Sequence, residues 1–73
     1  MAEHTISKIY IGNRILYLRK KNNINGKELS SLLNVSTRTI SLWEDGKIIP
    51  NLRNIVNICN LFHASLDSFV SVT

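Results

Sequence analysis

The sequence contains one cysteine, one proline and three glycines among its 73 residues. A single cysteine excludes an internal disulfide, so we expect the protein to work in a reducing cytoplasm. The scarcity of glycine and proline excludes a collagen-like or low-complexity chain. No apolar run is long enough to span a bilayer, and no charged segment followed by a long apolar run predicts a signal peptide.

Acidic residues are also few, because five Asp and Glu stand against nine Lys and Arg and give a formal net charge of +4. This balance favours an anionic partner, and nucleic acid and acidic membrane surfaces are the two leading classes. A hydrophobic fraction of 44% excludes the composition of a disordered chain. A chain of this length has room for one domain with one modest core.

Apolar residues recur at helical spacing in five segments, which predict an all-α chain of five short helices. Residues 1–10 show no strong periodicity and are predicted to form an N-terminal arm or an extension of the first helix, with residues 11–73 as the domain. In the first helix Ile11, Ile15 and Leu18 form one apolar stripe. This helix is expected to end near residue 22 or 23.

The second helix is predicted to be only about two turns long. The pair Asn25-Gly26 is compatible with a hairpin turn or with a helix N-cap, and the N-cap is favoured because neither flank alternates like a strand. Lys27–Leu33 follows, and Asn34 suits the left-handed conformation that ends a helix. The apolar residues expected on one face are Leu29, Leu32 and Leu33.

Three further helices are predicted from their caps. Ser36 is a strong N-cap for the third helix, which Asp45-Gly46 ends. Asn51 can cap a fourth helix, and Ser65 precedes a short fifth one. The apolar residues expected to face the core in these helices are Ile40 and Trp43, then Leu52, Ile55, Val56, Cys59 and Phe62, and finally Leu66, Phe69 and Val70.

The turn Asn34-Val35-Ser36, with a buried Val35, is expected to hold the third helix across the second, so that its exposed side can enter a groove. Helical periodicity directs one set of side chains outward, with Thr39 at the boundary. This outward set is Thr37, Arg38, Ser41 and Leu42. Its arginine suits a bidentate pair with guanine, its hydroxyls suit base edges, and its leucine suits a thymine methyl group. The alternative is a solvated helix face without a ligand.

Several short motifs together resemble one known family. They are Ile11-Gly12-Asn13-Arg14-Ile15, Leu18-Arg19-Lys20, Glu28-Leu29, Asn34-Val35-Ser36, Thr39-Ile40-Ser41-Leu42-Trp43-Glu44-Asp45-Gly46-Lys47, Pro50-Asn51-Leu52 and Ala64-Ser65-Leu66-Asp67. In this combination the chain resembles the helix-turn-helix domains of phage Cro and repressor proteins, the XRE family, from about Ile11 to Val70. Each motif alone is unspecific, whereas the set is specific.

The resemblance implies a compact five-helix bundle like that of lambda repressor, from a bacterial or phage-encoded transcriptional regulator, most simply a repressor. It implies binding to operator DNA as a homodimer, with Ser36–Glu44 in the major groove. For such a dimer we expect the interface at helix 5 and the end of helix 4. The implied base-edge or adjacent phosphate contacts are Ser36, Thr37, Arg38, Ser41 and Leu42. The implied phosphate contacts are Asn25, Lys27, Lys47 and Asn51. Arg19 and Glu44 occupy positions that form an ion pair in such domains.

Three residues depart from the family pattern. Gly26 stands where many members have a glutamine that clamps a phosphate, so that clamp is lost or replaced by a backbone N–H. Asn34 replaces the turn glycine, which is conservative because asparagine tolerates a positive φ. Asp45 stands where the family often has asparagine, and its charge would weaken binding to phosphates.

Other functions are considered beside DNA binding. A protein-interaction module, such as an antitoxin or regulatory partner, would dock through Leu16, Tyr17 and Leu42 or the edge of helix 5. Cys59 and His63 lie four apart on one helix but lack further metal ligands, so both are interpreted as structural. We expect no enzyme, no catalytic residue, no cofactor, no metal, no small-molecule ligand and no membrane partner.

Overall fold

The structure is a computed structural model that describes the backbone of residues 4–72 and the side chains of residues 6–70. The helices are α1 (Lys8–Lys21), α2 (Gly26–Leu33), α3 (Thr37–Glu44) and α4 (Leu52–Phe62), followed by a 3-10 turn (Leu66–Phe69). The short strands β1 (His4–Thr5) and β2 (Ser71–Val72) pair antiparallel, with His4 opposite Val72. The predicted helical fold is confirmed, with four α-helices rather than five within residues 4–72.

The predicted fifth helix is wrong as an α-helix. Ser65 makes no side-chain capping hydrogen bond, and the turn holds four residues before Val70 returns to an extended conformation. The chain has to extend there because the next two residues pair with β1. The short segment between the end of α4 and β2 therefore holds a single 3-10 turn.

The first helix begins at Lys8, three residues before its apolar stripe. Ser7 is its N-cap, and the Ser7 hydroxyl accepts a hydrogen bond of 3.2 Å from the backbone N–H of Tyr10. Residues 1–3 of the predicted arm, and residue 73, lie outside the described residues. The division of the chain at residue 10 therefore stays a prediction.

Local capping defines the ends of the remaining α-helices. The predicted N-caps of α2, α3 and α4 are confirmed, since Asn25, Ser36 and Asn51 accept backbone hydrogen bonds of 2.8, 3.0 and 2.9 Å. Asn34 and His63 adopt the left-handed conformation, with φ of 57° and 54°, and end α2 and α4. An N-cap of this kind contributes about 1 kcal/mol to stability.

The core draws on every helix. Its buried apolar residues are Ile11, Ile15, Leu18, Leu29, Leu33, Ile40, Trp43, Ile58, Cys59 and Phe69. The predicted inward stripes of α1 and α3 are therefore confirmed. Cys59 is a buried, free thiol, and burial raises its pKa.

Some apolar residues predicted to face the core are exposed instead. They are Leu32, Leu52, Val56 and Leu66, with exposed fractions of 57%, 68%, 42% and 50%. In α4 the fully buried residue is Ile58, which was not predicted to face the core. Seven of the eleven residues of α4 are apolar, so several stripes were available, and packing against the other elements selected one.

Helices α1 and α3 approach closely at Gly12. A Cβ atom at this buried position would overlap the carbonyl oxygen of Trp43 and lie 3.1 Å from that of Glu44. The last turn of α3 therefore rests directly on the backbone of α1. This contact sets the distance between α1 and the last turn of α3.

Candidate nucleic-acid interface

The turn between α2 and α3 is built as the sequence predicted. Asn34 takes the left-handed conformation, and the N–H of Val35 donates a 2.9 Å hydrogen bond to the carbonyl oxygen of Ser30. Val35 is half-buried and packs against the core. The two helices pack against each other across this turn. The geometry is that of a helix held across its predecessor with one side free.

Arg19 and Glu44 form a bidentate ion pair between α1 and the end of α3. Arg19 Nε lies 2.7 Å from Glu44 Oε2, and Nη2 lies 2.9 Å from Oε1. The remaining nitrogen, Nη1, donates a 3.1 Å hydrogen bond to the carbonyl oxygen of Ile24, just before α2. The side chains are 16% and 11% exposed. One guanidinium thus links α1, the segment leading into α2, and the end of α3.

The pKa of Arg19 is raised from its ordinary value. The hydrogen bond to the Glu44 carboxylate is the main cause, and its negative charge adds to it, while partial burial acts in the opposite direction. The guanidinium therefore stays charged in the folded protein. Replacing either Arg19 or Glu44 with a neutral residue would leave the other as an unpaired ion with little access to water.

The outward face of α3 is accessible as predicted. Thr37, Arg38 and Ser41 are exposed, and Leu42 and Thr39 are half-buried. Arg38 has no carboxylate within ion-pair distance in the described part of the chain. An exposed guanidinium without an internal partner keeps all its donors for a ligand.

Ser36 is less free than the sequence suggested. Its hydroxyl accepts from the N–H of Thr39 and lies 2.9 Å from the Thr39 hydroxyl oxygen. A base or phosphate contact by Ser36 would have to share a hydroxyl that already caps α3. The Thr39 hydroxyl belongs to the same small network at the start of the helix.

The predicted phosphate contacts lie at three helix ends. The Oδ1 atoms of Asn25 and Asn51 cap α2 and α4, which leaves each side-chain NH₂ group to donate outward. Lys27 is exposed in the first turn of α2, and Lys47 is exposed just after α3. Gly46, with φ of 73°, makes the turn that leads to Lys47. These residues offer donors suited to phosphate oxygens.

Glu28 also lies at the start of α2, and sequence reasoning gave it no role there. Its Oε1 accepts a 3.0 Å hydrogen bond from the N–H of Asn25, which completes a capping box. The signal was present, because Asn followed three residues later by Glu is the pattern of this motif. The carboxylate occupies one backbone donor that a phosphate would otherwise use.

Open space surrounds Gly26, since a Cβ atom at this position would meet nothing within 4 Å.

Within residues 4–72 no group of three His, Cys, Asp or Glu side chains could hold a metal ion. None of the described helices is long and apolar enough to cross a membrane. His63 serves as the left-handed C-cap of α4, four residues after buried Cys59.

The helix-turn-helix family model matches residues 15–69, a range that includes all of α2, α3 and α4. The chain therefore belongs to the helix-turn-helix family. The resemblance to XRE-type domains is confirmed by this match and by the similar proteins. Membership of this family supports DNA-binding transcription regulation as the class of function.

Two similar proteins are regulators. The chain is 33% identical over 58 residues to the HTH-type transcriptional activator BcrR of Enterococcus faecalis, covering 80% of this chain and 28% of BcrR. It is 32% identical to the P22 c2 repressor protein, solved in complex with a synthetic operator, with a TM-score of 0.75 over 81% of this chain and 89% of the repressor chain in that structure. The chain thus spans little more than a quarter of BcrR.

The fold also occurs in HppE, a protein that was solved with a metal ion and a substrate. The structure of HppE with cobalt(II) and its substrate matches with a TM-score of 0.79 and 18% identity, over 89% of this chain and 36% of HppE. At this identity the likeness concerns the fold alone. The fold therefore does not by itself decide the function, which has to be argued from the residues on the surface.

Proposed function

We propose that this protein binds operator DNA in a sequence-specific manner and regulates transcription, with α3 in the major groove. The observation that carries the proposal is the exposed outward face of α3, where Arg38 has no partner in the described residues. The Arg19–Glu44 pair and the turn at Asn34 hold this face in a single pose. A rigidly held helix is what base reading requires.

The roles of the surface residues follow from their chemistry. Arg38 pairs with the O6 and N7 atoms of guanine, and the hydroxyls of Thr37 and Ser41 contact neighbouring base edges. Leu42 contacts a thymine methyl group, and Ser36 contacts an adjacent phosphate while it caps α3. The proposed phosphate contacts that set the position on the duplex are Asn25, Lys27, Lys47 and Asn51.

Substitution of Arg38 tests the reading of bases. Arg38→Ala is expected to relax sequence preference at one base pair, with a loss of about 1–3 kcal/mol, roughly 5- to 150-fold, on the preferred site. Lys27→Ala and Lys47→Ala are expected to weaken binding to all DNA sequences alike. Each should reduce the slope of log binding constant against log salt concentration by about 1. The measurement is selection from a random DNA pool, followed by salt-titrated binding to the selected and scrambled sites. Equal losses for all three variants on every sequence would rule out base reading by Arg38.

Asp45 is expected to limit affinity. It is exposed at the C-cap of α3, next to the turn that carries Lys47. Asp45→Asn should raise affinity for selected and scrambled duplexes alike, by several-fold at low salt and less at high salt, because a negative charge beside phosphates is removed. Asp67→Asn, at an exposed acid in the 3-10 turn, is the matched control and should change neither. An unchanged affinity for Asp45→Asn would mean that this carboxylate lies away from the duplex.

The proposal includes a homodimer, and the exposed apolar side chains support one location for its interface. Leu61 and Phe62, at the end of α4, pack against the core, so that part of the helix is already occupied. The loop after α3 and the start of α4 instead expose apolar side chains. They are Ile48, Ile49, Leu52 and Val56, with exposed fractions of 42%, 42%, 68% and 42%. We therefore place the interface at this loop and the start of α4 rather than at helix 5.

This interface lies next to α3 in the chain. A two-fold dimer of this class places its two reading helices on half-sites about 34 Å apart. Val56→Glu, one turn of α4 beyond the proposed phosphate contact Asn51, is expected to abolish the dimer on DNA and to reduce affinity for a two-half-site duplex by at least tenfold, while binding to a single half-site is retained. Gel mobility and sedimentation on the two duplexes measure this. Leu66→Glu is the control, and a larger loss there would favour an interface at the 3-10 turn, where helix 5 was predicted.

The proposal extends to cytoplasmic action and to repression, because a domain bound at a promoter can exclude polymerase by occupying the site. A reporter gene placed behind the selected site shows whether the protein represses or activates transcription. A rise in expression would match the activator BcrR instead of a repressor. The protein-interaction alternative has less support, since Leu16 and Leu42 are half-buried and only Tyr17 of its three residues is exposed. A steep salt slope and a tighter selected site would distinguish DNA binding from it.

A further inference from the structure

We propose that the outer face of α1 is a second binding surface, which takes an acidic amphipathic segment of a partner protein. The surface consists of Tyr10, Arg14, Tyr17 and Lys21, which repeat at helical spacing, together with the groove beside them. The proposal goes beyond DNA binding, since this face takes no part in the interface proposed above.

Cations and an aromatic ring are stacked along this face. The guanidinium carbon of Arg14 lies 5.2 Å from the centre of the Tyr17 ring, and Lys21 Nζ lies 5.8 Å from it. Arg14 Nε is buried and has no hydrogen-bond partner in the described residues. Stacking on Tyr17 therefore orders these cations without neutralising them. An ordered, uncompensated cation pair binds a carboxylate with little loss of side-chain entropy.

The charge of α1 is of one sign. The helix holds five of the nine Lys and Arg residues of the chain and no acidic residue. Among the described side chains, only Arg19 has an acidic partner there. The remaining cations of α1 have no acidic partner in the described residues; its lysines are exposed and Arg14 is half-buried, so the complementary ligand is anionic.

This face points away from α3. Gly12 and Arg19 mark the flank of α1 that contacts α3, through the Trp43 carbonyl and the Glu44 carboxylate. At about 100° per residue, the stripe from Tyr10 to Lys21 lies roughly half a turn around the helix from that flank. A duplex on the outward face of α3 therefore leaves the stripe open.

The groove beside the stripe favours a protein segment over a phosphate backbone. A shallow groove of about 690 Å³ is lined by Asn13, Leu16, Tyr17, Lys20 and Lys21. Leu16 and Tyr17 are the apolar part of its lining, and Lys20 and Lys21, about one helical turn further along α1, are the cationic part. Carboxylates on the lysines with apolar side chains on the floor match an amphipathic helix, whereas a phosphate backbone gains nothing from leucine.

The probe for this surface is a fluorescent helical peptide of glutamate and leucine, with polyglutamate as a charge-only control. Anisotropy with the full chain is expected to show the amphipathic peptide binding at least tenfold more tightly than polyglutamate. The double variant Arg14→Ala, Lys21→Ala should weaken peptide binding at least tenfold, and Tyr17→Ala should weaken it comparably. Lys47→Ala, beside α3, is the matched control and should leave it unchanged. Thermal unfolding checks that each variant is folded.

Competition between the peptide and the duplex tests whether the two ligands bind to separate surfaces. The peptide should bind equally well with the selected duplex present, and the double variant should keep operator affinity within about twofold. Displacement of the peptide by the duplex, or an equal loss for Lys47→Ala, would overturn the proposal. A tenfold loss of operator affinity in the double variant would assign this face to nucleic acid instead, and equal binding of both peptides would also overturn it. Operator binding in the same sample tests the proposed function independently.

Discussion

Replacing Gly12 with alanine is expected to destabilise the fold by about 3 kcal/mol or more, because the added methyl group meets rigid backbone rather than a movable side chain. Its nearest contact would be the carbonyl oxygen of Trp43, with that of Glu44 at 3.1 Å. Relief requires α1 and α3 to separate. For a domain of this size such a loss lowers Tm by about 12–24 °C, as measured by thermal denaturation followed by circular dichroism.

The matched control is Gly26→Ala. This glycine is also helical, yet open space surrounds the position of its Cβ atom. Alanine there should leave Tm unchanged or raise it slightly, since replacing an unstrained glycine stabilises by about 0.4–1 kcal/mol. Unchanged stability for Gly12→Ala would mean that the two helices tolerate a wider spacing than the structure shows.

Replacing Glu44 with alanine is expected to destabilise the fold by about 2–4 kcal/mol, because Arg19 then keeps its charge in a place with little access to water. Only 16% of the Arg19 side chain is exposed, and one of its nitrogens stays bound to the Ile24 carbonyl. Urea denaturation, with the midpoint and slope compared with those of the parent chain, measures this loss. The last turn of α3 should also lose its orientation, so operator affinity should fall in the folded fraction.

Two variants separate the ion pair from a general effect of charge. Asp45→Asn removes the neighbouring, exposed acid and should change the free energy of unfolding by less than about 0.5 kcal/mol. The double variant Arg19→Met, Glu44→Ala should be more stable than Glu44→Ala alone, since no ion is left without a partner. A double variant no more stable than the single one would show that packing, not the unpaired charge, explains the loss.

Much of the candidate site was predictable because it depends on local order. The caps at Asn25, Ser36 and Asn51 join residues three apart, so short motifs suffice to recognise them. The outward face of α3 followed from Ile40 and Trp43 facing inward, and its exposure agrees. Its contacts with DNA remain predictions, because they depend on a duplex as well as on this chain.

Other features were not predictable because several local solutions were equally good. Helix α4 offers apolar residues on more than one side, and periodicity alone favoured Leu52 and Val56 over Ile58. Leu32 was placed inward beside Leu29 and Leu33, but the neighbouring elements cover only the other two. The segment after Ser65 carries helical signals, yet pairing of the following residues with β1 restricts it to a 3-10 turn.

The sequence by itself determined the ends of α2, α3 and α4, the turn at Asn34 and the inward edge of α3, because each depends on residues no more than a few positions apart. Only the tertiary structure decided which face of α4 is buried and how closely α3 rests on Gly12. It also showed how the Arg19 guanidinium joins three elements, through a pairing that spans 25 positions of the chain. Contacts of that range depend on the relative placement of helices, which no local pattern encodes.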